Sequence, residues 1–156
     1  MQTLVKLLIE RQYSIASIES LTAGLFASKL AEVSGASAVL KGALVTYQTS
    51  CKEEVLHVDA DTIKKYGVIS KEVADAMAIK GKEMFQSDLV VSFSGNAGPL
   101  AWENKEVGLV HMGLYFKDTL YSYKEVFKGD RNEIREQCVS YMCDKIKTII
   151  NKSDSK

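Results

Sequence analysis

Residues 89–99 read Leu89-Val90-Val91-Ser92-Phe93-Ser94-Gly95-Asn96-Ala97-Gly98-Pro99. Leu89 to Phe93 has the composition of a strand, and the glycine-rich loop Ser94 to Pro99 follows it directly. Strands alternate with helices on both sides of this stretch. Upstream, Ile15 to Ser20 is a short strand, and Phe26, Leu30 and Val33 recur at helical spacing in a helix from about Thr22. Ala43 to Tyr47 is a second strand, and Glu53 to Leu56 reads as helical. Asp59 to Lys65 is a short helix ended by Gly67. Ser70 is a helix cap with Glu72 in the first turn, and Val73, Met77, Gly81 and Met84 form the apolar face that follows. Downstream, Val107 to Phe116 and Leu120 to Phe127 are strands joined by Lys117 to Thr119 as an antiparallel hairpin. Asp130 and Glu133 form a D-x-x-E capping box for the last helix, whose face carries Ile134, Cys138, Tyr141 and Ile149.

This alternation, plus one hairpin, describes an α/β sandwich with a mixed sheet. Its 156 residues, 46% of them hydrophobic, make one domain with a real core, 1–150, and a polar tail, 151–156, expected to fray. Met1 to Arg11 reads as an amphipathic helix and not as a signal peptide, which places the chain in the cytoplasm. No apolar run is long enough to span a bilayer. Lys plus Arg equals Asp plus Glu at 20 each, which argues against a general nucleic-acid binder. The cysteines Cys51, Cys138 and Cys143 form no CxxC and no disulfide framework, and with two histidines, His57 and His111, no metal site is expected.

In α/β sheets, ligands bind outside the carboxyl ends of the strands, where loops lead into helices. That directs attention to Glu19 to Gly24, Tyr47 to Lys52 and Ser94 to Pro99. Ser20, at a strand-to-helix turn, is placed to be a nucleophile, with N–H groups at the helix start stabilising an oxyanion. The simpler reading is that Ser20 or Thr22 only caps the helix. Lys52 becomes a base only if burial lowers its pKa; otherwise it is a surface charge. Cys51 lacks a histidine partner and reads as a packed residue. Gly95 and Gly98 permit unusual backbone angles and close approach to a ligand, or an ordinary tight turn. The loop is neither a P-loop nor GxGxxG. Arg131, at a helix start where the dipole disfavours a cation, suits a phosphate contact or a surface ion pair.

The order of these segments resembles the CinA C-terminal (PncC-type amidohydrolase) family. That pattern begins Glu-Ser-Cys-Thr-Gly-Gly, here Glu19-Ser20-Leu21-Thr22-Ala23-Gly24. Gly35-Ala36-Ser37, Tyr47 to Lys52 and Gly67-Val68-Ile69-Ser70 match its next segments. Ser94 to Pro99, Lys105-Glu106-Val107-Gly108-Leu109-Val110 and Gly129-Asp130-Arg131 complete the series. The resemblance implies a three-layer α/β/α sandwich with a mixed, mainly parallel sheet. It implies hydrolysis of the carboxamide of nicotinamide mononucleotide, giving the nicotinate mononucleotide and ammonia. Carried over by position, Ser20 is the nucleophile, Lys52 the residue that activates it, and Ser94 a hydroxyl lining the same site. Thr22, Gly24, Tyr47, Gly95, Asn96, Ala97, Gly98 and Arg131 fall on substrate-binding positions. No cofactor, no metal and no nucleic-acid or membrane partner is implied, and a homo-oligomer (dimer or higher) is. The chain departs from the pattern at Leu21, at Ala23 and across Leu100-Ala101-Trp102-Glu103, where the bulky Trp102 is expected to reshape or cover the site. The alternative is a catalytically silent nucleotide-binding or interaction protein that retains the fold.

Overall fold

A computed structural model describes residues 1–153. Five strands form one sheet in the order β2-β1-β3-β4-β5. They are β1 (Ile15–Glu19), β2 (Leu40–Val45), β3 (Leu89–Gly95), β4 (Leu109–Phe116) and β5 (Thr119–Val126). The helices are α1 (Gln2–Arg11), α2 (Leu25–Ala31), α3 (Thr49–Glu54), α4 (Ala60–Tyr66), α5 (Lys71–Phe85) and α6 (Arg131–Ser153). The sheet is mixed, as expected. β1 pairs in parallel with β2 and β3, whereas β3–β4 and β4–β5 are antiparallel, so parallel pairings make up half of it.

Period-two alternation along the strands supplies both faces with apolar side chains. Ile15, Leu89, Val91 and Phe93 face one core with α1, α2 and α6 residues. Ala16, Ile18 and Val90 face another with Ile63 of α4 and Val73 and Met77 of α5. The result is the three-layer sandwich. Among the described residues, no helix is long and apolar enough to cross a membrane.

Several boundaries differ from the expectations, each for a local reason. α2 starts at Leu25 and not near Thr22, because Ala23 and Gly24 take positive φ, 47° and 93°. β2 covers Leu40–Val45 instead of Ala43 to Tyr47; as an edge strand it alternates half-buried and exposed residues, a weak apolar signal. α3 occupies Thr49–Glu54, ahead of the expected Glu53 to Leu56, and its only buried residue is a lysine. The hairpin turns on Lys117 and Asp118 alone, both with positive φ, as in a type I′ turn. Met84 is 43% exposed and does not belong to the buried face of α5. The last helix reaches Ser153, three residues into the segment expected to fray; 154–156 lie outside the described residues.

Gly81 sets the approach of α5 to the sheet. A Cβ there would come within 2.6 Å of Ile18 Cγ1 and 2.8 Å of Val90 Cγ1. Helix propensity alone would make Gly81→Ala stabilising by about 1 kcal/mol. Overpacking against two fully buried strand residues costs about 1–3 kcal/mol and outweighs it. Urea denaturation of Gly81→Ala is expected to show a net loss of stability; a gain would mean that the α5–sheet contact is looser than the geometry indicates.

Candidate active site

The carboxyl ends of β1 and β3, the start of α3 and the start of α6 surround one cavity of about 460 Å³. It is lined by Ser20 and Leu21 after β1, by Tyr47, Gln48, Thr49 and Lys52 around α3, and by Val68 and Ile69 before α5. Ser94, Gly95, Asn96 and Ala97 after β3, with Trp102 and Arg131, complete the lining.

Glu19 builds the turn that presents Ser20. The residue is fully buried, and its carboxylate accepts from four donors. They are Ser17 Oγ (2.8 Å) and the amides of Gly24 (2.9 Å), Phe26 (3.1 Å) and Ala27 (3.0 Å). Glu19 therefore caps α2, and neither Ser20 nor Thr22 does so. These amides are consumed and do not serve an oxyanion, contrary to the expectation from sequence. Arg135 holds the same turn from outside: Nε donates to the Leu21 carbonyl at 3.0 Å and Nη2 to that of Thr22 at 2.8 Å.

Lys52 is 1% exposed, and its amine sits 3.1 Å from Ser20 Oγ. The same nitrogen lies 2.5 Å from the Thr46 carbonyl and 3.5 Å from that of Tyr47. Burial pushes its pKa down to about 8, while the Cys51 side chain and then Glu103 pull the other way. An ordinary lysine is neutral in roughly 1 molecule in 3,000 at pH 7, whereas one with a pKa near 8 is neutral in about 1 in 10. A neutral amine that gives its two N–H bonds to the Thr46 and Tyr47 carbonyls has its lone pair left for the Ser20 hydroxyl. That is the geometry of a serine and its base.

The remaining expectations divide. Ser94 is 1% exposed and lines the cavity, with its hydroxyl donating to the Val68 carbonyl. Tyr47, Gly95, Asn96, Ala97 and Arg131 also line it. Gly95 sits so close to β4 that a Cβ would come within 2.6 Å of the Leu109 carbonyl oxygen. Arg131 crosses the mouth, donating through Nη1 to the Gly98 carbonyl and through Nη2 to the Tyr47 hydroxyl. Three expected binding residues do not line the cavity. Thr22 is fully buried with its hydroxyl unpartnered, because the turn directs it into the protein. Gly24 is spent on the junction with α2, and Gly98 contributes a carbonyl to Arg131 but no wall.

Glu19, Leu21, Gln48 and Thr49 lie in the strand-end segments that the sequence singled out, though none was assigned a role; Val68, Ile69, Arg135 and Glu103 lie outside those segments. Arg135 carried a signal, since it stands one helical turn after Arg131 and shares its face. Glu103 accepts from the amides of Val68 (2.8 Å) and Ile69 (3.1 Å), a link over 34 or more positions that no local pattern announces.

The family model of the CinA C-terminal domain matches residues 1–150. The chain belongs to that family. A CinA-like protein of Petrotoga mobilis is 39% identical over 140 residues, covering 89% of this chain and 35% of that protein. A putative competence-damage inducible protein of Oceanobacillus iheyensis is 42% identical over 126 residues, 80% of this chain and 30% of that protein. The chain thus spans about a third of these curated relatives. Among solved structures, a CinA superfamily protein of Escherichia coli superposes with a TM-score of 0.91 at 24% identity, covering 95% of this chain and 87% of that one, a likeness of fold. The competence/damage inducible protein of Agrobacterium tumefaciens gives 0.88 at 27% identity, covering 94% and 93%.

The bonds at Glu19 set an expectation for stability. Glu19→Ala strands one buried and two part-buried amides and one buried hydroxyl, a buried group costing about 1–3 kcal/mol when unpaired. Allowing for water entering the space, a loss of roughly 3–5 kcal/mol is expected in denaturant titration. A loss under about 1 kcal/mol would mean that the cap is replaceable.

Proposed function

We propose that this chain is a serine amidohydrolase that removes the carboxamide nitrogen of nicotinamide mononucleotide. The observation that carries this reading is the buried Lys52 amine 3.1 Å from Ser20 Oγ at the cavity wall. Family membership agrees with it, because the resemblance that places the chain among CinA C-terminal domains includes amidases of this type.

The chemistry follows from the groups present. Neutral Lys52 takes the Ser20 proton as Oγ attacks the carboxamide carbon. The carbonyl oxygen becomes an oxyanion. The Leu21 amide, next in the chain after the nucleophile and at the cavity wall, is the proposed donor to it. Protonated Lys52 then gives its proton to the departing nitrogen, and ammonia leaves. The acyl group remains as an ester on Ser20. Lys52, neutral again, accepts a proton from water, whose oxygen attacks the ester. Collapse returns the proton to Ser20 and frees the nicotinate mononucleotide. Arg131 and the Gly95–Ala97 backbone are the proposed contacts for the nucleotide's anionic end.

Purified protein is expected to release ammonia from nicotinamide mononucleotide with EDTA present. Ser20→Ala is expected to lose roughly a thousandfold or more with its fold intact. Ammonia release by Ser20→Ala at the wild-type rate would remove the serine mechanism. Substrate binding without release by the wild type would instead point to a silent nucleotide-binding protein.

The pH profile tests the base. Lys52 must be neutral to act, so kcat/KM is expected to rise about tenfold per pH unit below an apparent pKa of about 8 and to level off above it. Lys52→Arg stays charged throughout this range and is expected to be inactive at every pH tested. A flat profile from pH 6 to 9 in the wild type would contradict a lysine base.

A further inference from the structure

Trp102 is the only tryptophan in the chain. It lines the cavity beside Ser20 and Lys52 yet is 64% exposed. Such exposure is unusual for so large an apolar surface. The backbone beneath it is constrained. Trp102 and Lys105 form an isolated bridge, with the Lys105 amide donating to the Trp102 carbonyl at 3.0 Å. The two residues between them, Glu103 and Asn104, take φ of 54° and 55° without being glycine. This is the type I′ geometry also taken by Lys117 and Asp118, and here further contacts hold the turn besides its own hydrogen bond.

Those contacts are present. The Glu103 carboxylate accepts from the Val68 and Ile69 amides. Lys105 Nζ donates to the carbonyls of Ile69 and Tyr66 and lies 3.3 Å from Glu103. Asn96 Nδ2 donates to the Lys105 carbonyl at 3.4 Å. The turn is thus stapled to two walls of the cavity, and Trp102 stands on a fixed base.

The lining also has a charge pattern. Its ionic side chains are Lys52 and Arg131, and neither Asp nor Glu is among the lining residues. A ring with a positive charge finds no carboxylate there to meet it. The complement available is an aromatic face. Two aromatic side chains line the cavity, and among the described residues neither ring face has an aromatic or cationic partner; Tyr47 carries the Arg131 cation at its hydroxyl, which repels a second positive charge, and Trp102 does not.

Resting on the amidohydrolase reading, we propose that Trp102 determines specificity by stacking its indole on a positively charged, planar N-substituted pyridinium ring. The ring is held between this indole and the Ser20 side of the cavity. The indole favours a charged pyridinium over a neutral ring and over a ligand with only the sugar phosphate.

The test uses the lone tryptophan as its own probe. Nicotinamide mononucleotide is titrated into the full Ser20→Ala chain while indole fluorescence is followed, with ribose 5-phosphate as the control that lacks the ring. Saturable quenching by the mononucleotide and none by ribose 5-phosphate is expected. In the Ser20-containing protein, Trp102→Ala is expected to raise KM roughly 3- to 30-fold with little change in kcat, and Trp102→Phe to recover most of the loss. An unaltered melting temperature for Trp102→Ala separates this effect from misfolding. Absence of quenching at mononucleotide concentrations that saturate calorimetry overturns the inference, as does an unchanged KM in Trp102→Ala. Fluorescence that follows protein concentration and ignores ligand also overturns it and makes Trp102 a contact between copies. The two readings fail separately. Ammonia release without quenching leaves the amidase and removes the stacking; specific quenching without ammonia release leaves the stacking and removes the amidase.

Discussion

The buried Glu19 carboxylate is the constraint on which the rest of the site depends. It closes the β1–α2 junction by taking four donors, three of them backbone amides of the helix start. A helix start normally leaves such amides for water, for a capping side chain or for a ligand. Here a strand residue takes them from inside the core. The turn is thereby fixed at both ends, with Ser20 N bonded to the Phe93 carbonyl and Arg135 gripping the carbonyls of Leu21 and Thr22. Ala23 holds a left-handed conformation within it, at φ 47°, where glycine carries no penalty. The methyl points outward at an exposed position, so this departure from the family pattern leaves the cavity lining unaltered.

Lys52 has the opposite energetic character. An almost fully buried lysine disfavours its own charged form, and its pKa falls from 10.5 to about 8. Between these two values the folded state holds fewer protons than the unfolded one, so stability rises with pH across that window. The contribution is fully present above 10.5 and lost as pH falls through about 8. At neutral pH the fold therefore carries the cost of a buried cation, offset by the Thr46 and Tyr47 carbonyls. Such a cost is typical of groups whose position serves chemistry more than stability.

Around this pair the cavity is assembled from distant stretches of chain. Arg131 joins the loop after β3 to Tyr47, and Ser94 and Glu103 pin the segment before α5 from two directions. Each link connects residues 26 or more positions apart. The loops of the site are bound to one another as well as to the sheet. The family match over residues 1–150 spans every position that lines this cavity, Leu21 and Trp102 being departures from the family pattern.

Much of this was legible in the residues themselves. Alternating apolar strands and helical stripes specify an α/β sandwich, because period and length are local properties of the backbone. The Ser70 cap and the Asp130–Glu133 box were readable for the same reason, and both are made. Ser20, Lys52 and Ser94 stood out as candidates through the ordered resemblance, and the structure brings all three to one cavity. The tertiary structure alone decided that Lys52 is buried, since α3 has one buried residue and no apolar stripe to announce it. It alone decided that Glu19, and not a hydroxyl, caps α2, that Thr22 and Gly24 turn away from the cavity, and that Glu103 and Lys105 tie the turn carrying Trp102 to the segment before α5. The physical reason is common to all four. Burial, desolvation and hydrogen-bond partners are set by residues far away in the chain, and a local pattern contains no information about which distant surface will cover it.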